Sequence, residues 1–185
     1  MTPARAIMLN ALGLYAVALV LAAAYAAQFI LHELPCPLCL LQRLLFAVLA
    51  VGPILNIRFG PRPSHYAMSL LAAVAGAVAS TRQVLLHIMP GDAGYGSALL
   101  GFHYYSWALI GFVAAIVLIA TTLLFDRQFE GERTALPSTG GAFAQIAVWL
   151  VIALTAANVV TTLLECGFRA CADNPLVYEL LKRAT

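Results

Sequence analysis

Four cysteines in this sequence form two closely spaced pairs, a pattern typical of thiol–disulfide chemistry. Cys36 and Cys39 make a CxxC motif, and Cys166 and Cys171 lie near the end of the chain. A thiolate attacks a disulfide through a mixed-disulfide intermediate, so such pairs can pass electrons from one to the other. Spacing alone leaves two alternatives open. The four cysteines could bind zinc, or the second pair could be a static disulfide that fixes the end of the chain.

The residues around the first pair favour a reactive thiolate. Pro37 suits the first position of a helix, where its missing N–H is not needed, so we expect Cys36 to be the N-cap and Cys39 to lie in the first turn. The free amide donors and positive dipole of a helix N-terminus stabilise a thiolate. Arg43 follows Cys39 by four residues on the same helical face. A cation inside an apolar segment is unfavourable, which makes Arg43 a candidate functional residue.

The elements that position these residues are predicted to be membrane-spanning helices. The chain has 185 residues, of which 63% are hydrophobic and 10% are charged, and the apolar residues occur in long blocks. Lipid offers the backbone no hydrogen bonds, so such blocks span as helices of about 20 residues. The sequence predicts an all-α membrane protein, a bundle of four core transmembrane helices plus a fifth. We expect the chain to form a single integral membrane domain over residues 1–185. Its spans are predicted at about 7–31, 39–57, 66–88, 104–125 and 142–164, followed by an outer tail at 165–185.

The charged residues predict the orientation of this bundle. Positive residues lie before the first span and in the loops on the same side of the bundle: Arg5, Arg58, Arg62, Arg127 and Arg133. Residues 32–35 and 89–103, on the other side, contain no Lys or Arg. The positive-inside rule therefore places the N-terminus in the cytoplasm, and it places the C-terminus and all four cysteines in the oxidising compartment outside. Arg169, Lys182 and Arg183 in the tail are mild counter-evidence. The net charge of +2 gives no indication of nucleic-acid binding.

Two features within the spans qualify this topology. The first span resembles a signal peptide, but its apolar run is longer than a signal core, so we expect it to remain uncleaved. Pro53 is expected to bend the second span, which membrane helices tolerate.

The segment from Cys36 to Arg43, which reads CPLCLLQR, resembles the signature of the DsbB family, and Pro35 and Gln28 fit the same pattern. Members of this family are multi-pass proteins of the bacterial inner membrane. They are thiol–quinone oxidoreductases that reoxidise DsbA, a soluble periplasmic protein of thioredoxin fold. The resemblance implies that Cys39 lies beside a quinone, either ubiquinone or menaquinone, and that Arg43 contacts its headgroup. It also implies that Cys36 exchanges with a second cysteine pair.

The position of the second pair departs from the family pattern. The family places that pair in the loop between the third and fourth spans, where this chain has no cysteine. Here the pair follows a fifth span, beyond the resemblance, which covers about residues 7–125. We hypothesise that Cys166 and Cys171 still receive electrons from the soluble partner and pass them to Cys36.

The tail around this pair is predicted to be partly helical. Gly167 is expected to end the fifth helix. The segment Asp173-Asn174-Pro175 is typical of a helix start. A short interfacial helix should follow, with one apolar face made by Leu176, Val177, Leu180 and Leu181.

Two further residues are candidates for binding the quinone headgroup. Arg82 lies in the third span, about 10 Å from its outer end at Met89, and His87 lies between them. Arginine can donate hydrogen bonds to a carbonyl, and histidine can move protons. We expect Arg43, Arg82 and His87 to surround the headgroup beside Cys39. The alternatives are that Arg82 extends to the membrane surface and that His87 is an interfacial residue.

Other residues are expected to have packing or covering roles. Ala72, Gly76 and Ser80 form a small-residue stripe that lets helices approach closely. Four aromatic residues at the start of the fourth span are expected to be interfacial anchors: Phe102, Tyr104, Tyr105 and Trp107. The turn-rich loop at residues 90–103 could cover the site or meet the partner.

Two other functions compete with the DsbB-like interpretation. Proteins similar to vitamin K epoxide reductase also combine a membrane CxxC motif with loop cysteines and a quinone, but their motif usually comes late in the chain. A non-catalytic membrane scaffold with structural disulfides is the second alternative, and its disulfides should resist reduction. The thiol–quinone chemistry itself requires no metal or nucleotide.

Overall fold

The computed structural model describes residues 1–129 and 141–182 and contains five helices long and apolar enough to cross a membrane. The second of these is interrupted, so six α-helices are numbered here. They are α1 (Pro3–Ile30), α2 (Pro37–Leu49), α3 (Val51–Phe59), α4 (Pro63–Leu86), α5 (Tyr104–Leu123) and α6 (Gly141–Cys166). Two strands, β1 (Ala98–Leu99) and β2 (Phe102–His103), form a small antiparallel hairpin before α5. The prediction of an all-α membrane protein is confirmed. Arg133 and Arg183, used above for orientation, lie outside the described residues.

Both cysteine pairs lie at one end of the bundle, called here the cysteine end. The end of α1, the start of α2 and the end of α6 meet there. The hydroxyl of Tyr15 donates to the carbonyl of Phe143 and that of Tyr25 to the carbonyl of Leu154, each at 3.0 Å. Both contacts advance in step along the two helices, so α6 runs parallel to α1.

The second span begins at Pro37 and ends at Phe59, with a break at Ala50 between α2 and α3. Pro53 explains this break because it has no N–H to donate to the carbonyl of Leu49. The hydroxyl of Ser69 on α4 donates to that carbonyl instead, at 2.7 Å. A neighbouring helix thus satisfies the backbone group that the proline leaves free, as lipid surroundings require.

Small residues let α4 pack closely against its neighbours. Ala72, Gly76 and Ser80 are all buried, as predicted for a packing stripe. The ring of Phe112 on α5 lies over Gly76 and stacks on Phe46 of α2, with ring centroids 4.0 Å apart. A methyl group at Gly76 would overlap the Phe112 ring. The closest approach of α4 and α5 therefore depends on a residue without a side chain.

A buried polar network joins the helices at the end opposite the cysteines. The amide of Asn56 donates to Asn10 at 3.0 Å, and that of Asn10 donates to the hydroxyl of Tyr66 at 2.9 Å. The same hydroxyl donates to Gln128 at 3.0 Å, and the His65 ring lies 2.9 Å from the Asn56 carbonyl oxygen. Because each buried group has a partner, the network fixes α1, α3, α4 and the segment after α5 relative to one another.

The tail differs from the prediction. In place of a helix from about Asp173, only a 3-10 turn at Glu179–Leu181 forms. Tyr178 is extended instead, and its hydroxyl accepts a hydrogen bond from the side chain of Gln28 on α1 at 3.0 Å. The side chain of Leu180 lies against Gly167 at the end of α6. These contacts with the bundle replace the predicted interfacial helix.

We expect Gly76→Ala to lower the stability of the protein by about 1–3 kcal/mol, because the added methyl group overpacks the contact with Phe112. Thermal unfolding in detergent measures the change. Gly13→Ala is the matched control, since its methyl group would meet nothing within 4 Å and the residue is also helical. Equal melting temperatures for the two variants would contradict this account of α4–α5 packing.

Candidate active site

The first cysteine pair caps α2 in the predicted way. Cys36 is the N-cap, Pro37 occupies the first helical position, and the backbone N–H of Cys39 donates to the Cys36 sulfur at 3.1 Å. The two sulfurs form a disulfide. Cys36 is buried and Cys39 is half-buried. Both therefore lie where the helix N-terminus stabilises negative charge on sulfur.

Gln83 is the side chain that contacts this disulfide. Its amide nitrogen lies 3.2 Å from the sulfur of Cys36 and 3.5 Å from that of Cys39. Its carbonyl oxygen accepts a hydrogen bond from Gln42 at 2.9 Å, which fixes the amide so that it donates toward sulfur. Neither glutamine was predicted to have a role. The available signal was an amide side chain inside a predicted span, because polar groups within apolar segments are often functional.

Arg43 is buried beside α1, with 8% of its surface exposed. Its guanidinium donates to the side chain of Gln28 at 2.6 Å and to the carbonyl of Ala24 at 2.9 Å. It also lies 5.6 Å from the ring centroid of Tyr25, a cation–π distance. Since Gln28 also donates to Tyr178, a continuous chain of hydrogen bonds joins Arg43 to the tail.

Cys39 and Arg43 both line a cavity of about 330 Å³ at the cysteine end. This volume is within the range of small-molecule sites, about 300–1,000 Å³. The walls come from α1, α2, α5 and the loop before α5, and they are mostly apolar and aromatic. Three of the residues expected to be membrane anchors contribute to them: Tyr104, Tyr105 and Trp107. Apolar walls, one buried cation and a few polar groups suit a flat ring with carbonyl oxygens, so the residues present fit a quinone headgroup.

The loop between α4 and α5 covers this cavity. The hydroxyl of Tyr95 donates to the carbonyl of Leu34 at 2.6 Å, and the backbone N–H of Ser97 donates to the Glu33 carboxylate at 3.1 and 3.2 Å. Burial raises the pKa of Tyr95, and the nearby charges of Glu165 and Glu33 raise it further. The loop is therefore tied to the segment just before the CxxC motif.

Arg82 and His87 do not lie in this cavity. Arg82 is exposed and lines a separate shallow groove between α4 and α5. Successive helical residues point about 100° apart, so the inward position of Gln83 directs Arg82 away from the disulfide. His87 lies 3.1 Å from Asp92 and stacks on the cavity residue Tyr105. The backbone N–H of Gly94 and the His87 ring lower the pKa of Asp92.

The second cysteine pair ends α6. Cys166 is the last helical residue, and Gly167 follows with a φ of +65°, a conformation that glycine adopts without strain. The Gly167 N–H donates to the carbonyl of Leu163 at 2.8 Å, which closes the helix as predicted. Cys166 and Cys171 form a disulfide, in which Cys166 is buried and Cys171 is half-buried. The chain therefore holds two separate disulfides at the same end of the bundle.

Comparison with known proteins concerns the part of the site that contains the CxxC motif. The family described as Disulfide bond formation protein DsbB matches residues 5–98, just over half of the 185 residues. Disulfide bond formation protein B of Xanthomonas axonopodis pv. citri (strain 306) is 40% identical over 86 residues, which is 44% of this chain and 50% of that protein. The proteins of the same name from Xanthomonas oryzae pv. oryzae (strain MAFF 311018) and Xanthomonas campestris pv. campestris (strain 8004) are 38% and 37% identical, with the same coverage.

The chain therefore spans about half the length of the curated relatives it matches. No solved structure matches it. The family match contains Cys36, Cys39 and Arg43 but ends before α5, so the tail cysteine pair lies outside it. Over α1 to α4, with the CxxC motif at the start of α2, the chain belongs to the DsbB family of membrane disulfide-forming proteins.

Proposed function

We propose that this protein oxidises a soluble dithiol partner of the DsbA type and passes the electrons through its two cysteine pairs to a membrane quinone. The observation that carries the proposal is the cavity beside the Cys36–Cys39 disulfide, which has apolar walls and contains the Arg43 side chain. A structural disulfide would not need a ligand-sized cavity at one of its sulfurs. Membership of the DsbB family supports a location in the bacterial inner membrane, and the positively charged loops favour a cytoplasmic N-terminus with both disulfides on the periplasmic side.

The burial of the four sulfurs supports a direction for the exchange. A partner thiolate attacks the more exposed Cys171, and Cys166 leaves; the partner's second thiol then closes the partner disulfide and releases Cys171. One thiol of the reduced tail pair next attacks Cys36, which releases Cys39 as a thiolate at the cavity; the other tail thiol then restores the tail disulfide and releases Cys36. Cys36 and Cys39 would close their disulfide again by giving up two electrons and two protons, which is what a quinone held in the cavity needs to become a quinol.

The residues around Cys39 are suited to stabilising its thiolate. The helix N-terminus supplies positive potential, and the amide of Gln83 can donate to the sulfur. Arg43 adds a positive charge on the same cavity wall, where the low dielectric strengthens its effect. The helix end and Gln83 act on both sulfurs, and Cys39 is the one expected to carry negative charge toward the cavity because it, and not Cys36, lines the cavity with Arg43.

Replacing Cys39 by serine should abolish quinone reduction, because no sulfur would then lie at the cavity to donate electrons. The assay follows quinone absorbance when the purified protein is mixed with a reduced DsbA-like donor. Retention of the wild-type rate by Cys39→Ser would refute the proposed function.

Replacing both Cys166 and Cys171 by serine tests the relay through the tail. We expect quinone reduction by the protein donor to be lost, whereas reduction by a small dithiol such as dithiothreitol should persist, because a small reagent can reach the first pair without the tail. If the protein donor works equally well on the variant, the tail disulfide is static and the relay is rejected.

Arg43→Met should raise the KM for quinone about tenfold or more, because a hydrogen bond to a charged group contributes about 1.5–3 kcal/mol. Arg82→Met is the matched control and should leave the KM unchanged, since Arg82 lies outside the cavity. Melting temperatures of both variants show whether folding is preserved. The reverse pattern, with Arg82 controlling the KM, would assign the headgroup to the α4–α5 groove instead.

A further inference from the structure

We propose that Glu165 accepts the proton of the Cys166 thiol when the tail pair exchanges with the Cys36–Cys39 disulfide, and then returns it to Cys36. This inference rests on the proposed function, because it concerns how the tail pair passes electrons to Cys36. Glu165 is the only charged residue within α6, and it directly precedes the first cysteine of the tail pair.

The first observation is that Glu165 is buried without a hydrogen-bond partner. Only 2% of its surface is exposed, and among residues 1–129 and 141–182 no donor reaches either carboxylate oxygen. Burying a charged or polar group without a partner is strongly unfavourable. Most buried polar groups in proteins have hydrogen-bond partners, so a buried carboxyl group without one points to a functional role.

The second observation is a line of further unpartnered polar atoms on the same face of α6. The Thr162 hydroxyl and the side-chain oxygen of Asn158 are buried and also lack partners within the described part of the chain. These residues precede Glu165 by three and seven positions, so all three side chains lie along one face of the helix. Glu165 therefore ends a row of buried polar atoms that other side chains of the described bundle leave unsatisfied.

Glu165 lies near a positive charge but does not form an ion pair with it. Arg43 of α2 interacts with it electrostatically, but no salt bridge within 4.0 Å joins the two among the described residues. The Arg43 guanidinium donates its hydrogen bonds to α1 instead. The other titratable groups nearby are Tyr95 of the covering loop, which Glu165 influences, and Tyr25 and Tyr178, which interact with Arg43. The carboxylate therefore remains available to bind and release a proton.

Cys166 is the sulfur that needs such a group. Cys36 and Cys39 lie at a helix N-terminus, which stabilises a thiolate, and Cys171 is accessible to solvent. Cys166 is buried at a helix C-terminus, where burial and the negative end of the dipole both favour the protonated thiol. A thiol is a poor nucleophile, so attack by Cys166 requires a base, and Glu165, its neighbour in α6, is the buried carboxylate at this end of the helix.

The exchange then takes place in two steps. The Glu165 carboxylate takes the proton of the Cys166 thiol, and the Cys166 thiolate attacks the sulfur of Cys36. The Cys36–Cys39 bond breaks, the Cys166–Cys36 bond forms, and Cys39 leaves as a thiolate. Cys171 releases its proton to water and attacks Cys166, which restores the tail disulfide. Cys36 leaves and takes the proton from Glu165, so two electrons have moved to the first pair and Glu165 is a carboxylate again.

The test measures this exchange in protein without quinone. A reduced DsbA-like donor reduces the tail pair, the reaction is stopped by acid at set times, and mass spectrometry of alkylated cysteines reports the transfer to Cys36 and Cys39.

We expect Glu165→Gln to slow the transfer about 100-fold, within the range of general acid–base effects. Its rate should rise in proportion to hydroxide concentration, because hydroxide then replaces the missing base. Glu165→Asp should retain part of the wild-type rate. Glu179→Gln, an exposed tail carboxylate in an ion pair with Lys182, is the matched control and should be unchanged.

A second readout separates proton transfer from a structural role. In the wild type, the infrared C=O stretching band of a protonated carboxyl group should appear during the exchange and decay with it, and Glu165→Gln should lack this band. A wild-type rate and pH profile in Glu165→Gln, or no such band in the wild type, overturns the inference and leaves the proposed function intact. No transfer from the tail pair in the wild type refutes the proposed function itself. If Glu165→Gln does not fold, the infrared band of the wild type tests the inference by itself: its appearance during the exchange supports the inference, and its absence overturns it.

Discussion

The arrangement of the cysteine end depends on the burial of one positive charge. A guanidinium held within a membrane-spanning bundle must have acceptors, because neither lipid nor apolar side chains can replace its water shell. Arg43 finds them on α1, at Gln28 and at the carbonyl of Ala24. These bonds fix the register between α1 and α2. With its oxygen bonded to Arg43, the Gln28 side chain donates from its amide nitrogen to the hydroxyl of Tyr178 in the tail. The buried charge therefore organises both the cavity wall and the path of the last described residues.

The helical architecture and the CxxC geometry follow from local rules that the sequence states directly. Apolar blocks of bilayer length must be helical, so the five spans could be predicted from composition alone. Pro37 determines that Cys36 caps α2, because proline is favoured at the first helical position. Pro53 similarly predicts a disturbed helix, although the break occurs at Ala50, about one turn earlier, beside the Leu49 carbonyl to which Pro53 has no N–H to donate. These features depend on a few neighbouring residues, which is why spacing was sufficient.

Features that depend on helix rotation or on distant contacts could not be predicted in the same way. Arg82 and Gln83 are adjacent, and only the packing of α4 decides that the glutamine and not the arginine faces the disulfide. The tail contains an apolar pattern compatible with a helix, but the contact of Tyr178 with Gln28, 150 positions away, favours an extended path. The aromatic residues near the start of α5 are suitable interfacial anchors, and their place in the cavity wall becomes visible only once the helices pack. Local pattern thus gave the parts of the site, whereas tertiary packing decided which of them meet.

The walls of the cavity are not all joined in the same way. Arg43 bonds α2 to α1 on one side, whereas no hydrogen bond among the described residues joins α1 to α5, which both line the cavity. Contacts held by apolar packing alone open more readily than hydrogen-bonded ones, so we expect the width between α1 and α5 to fluctuate. Such fluctuation would let a ligand with a long apolar chain enter sideways between these two helices from the hydrocarbon layer, without any part of the bundle unfolding.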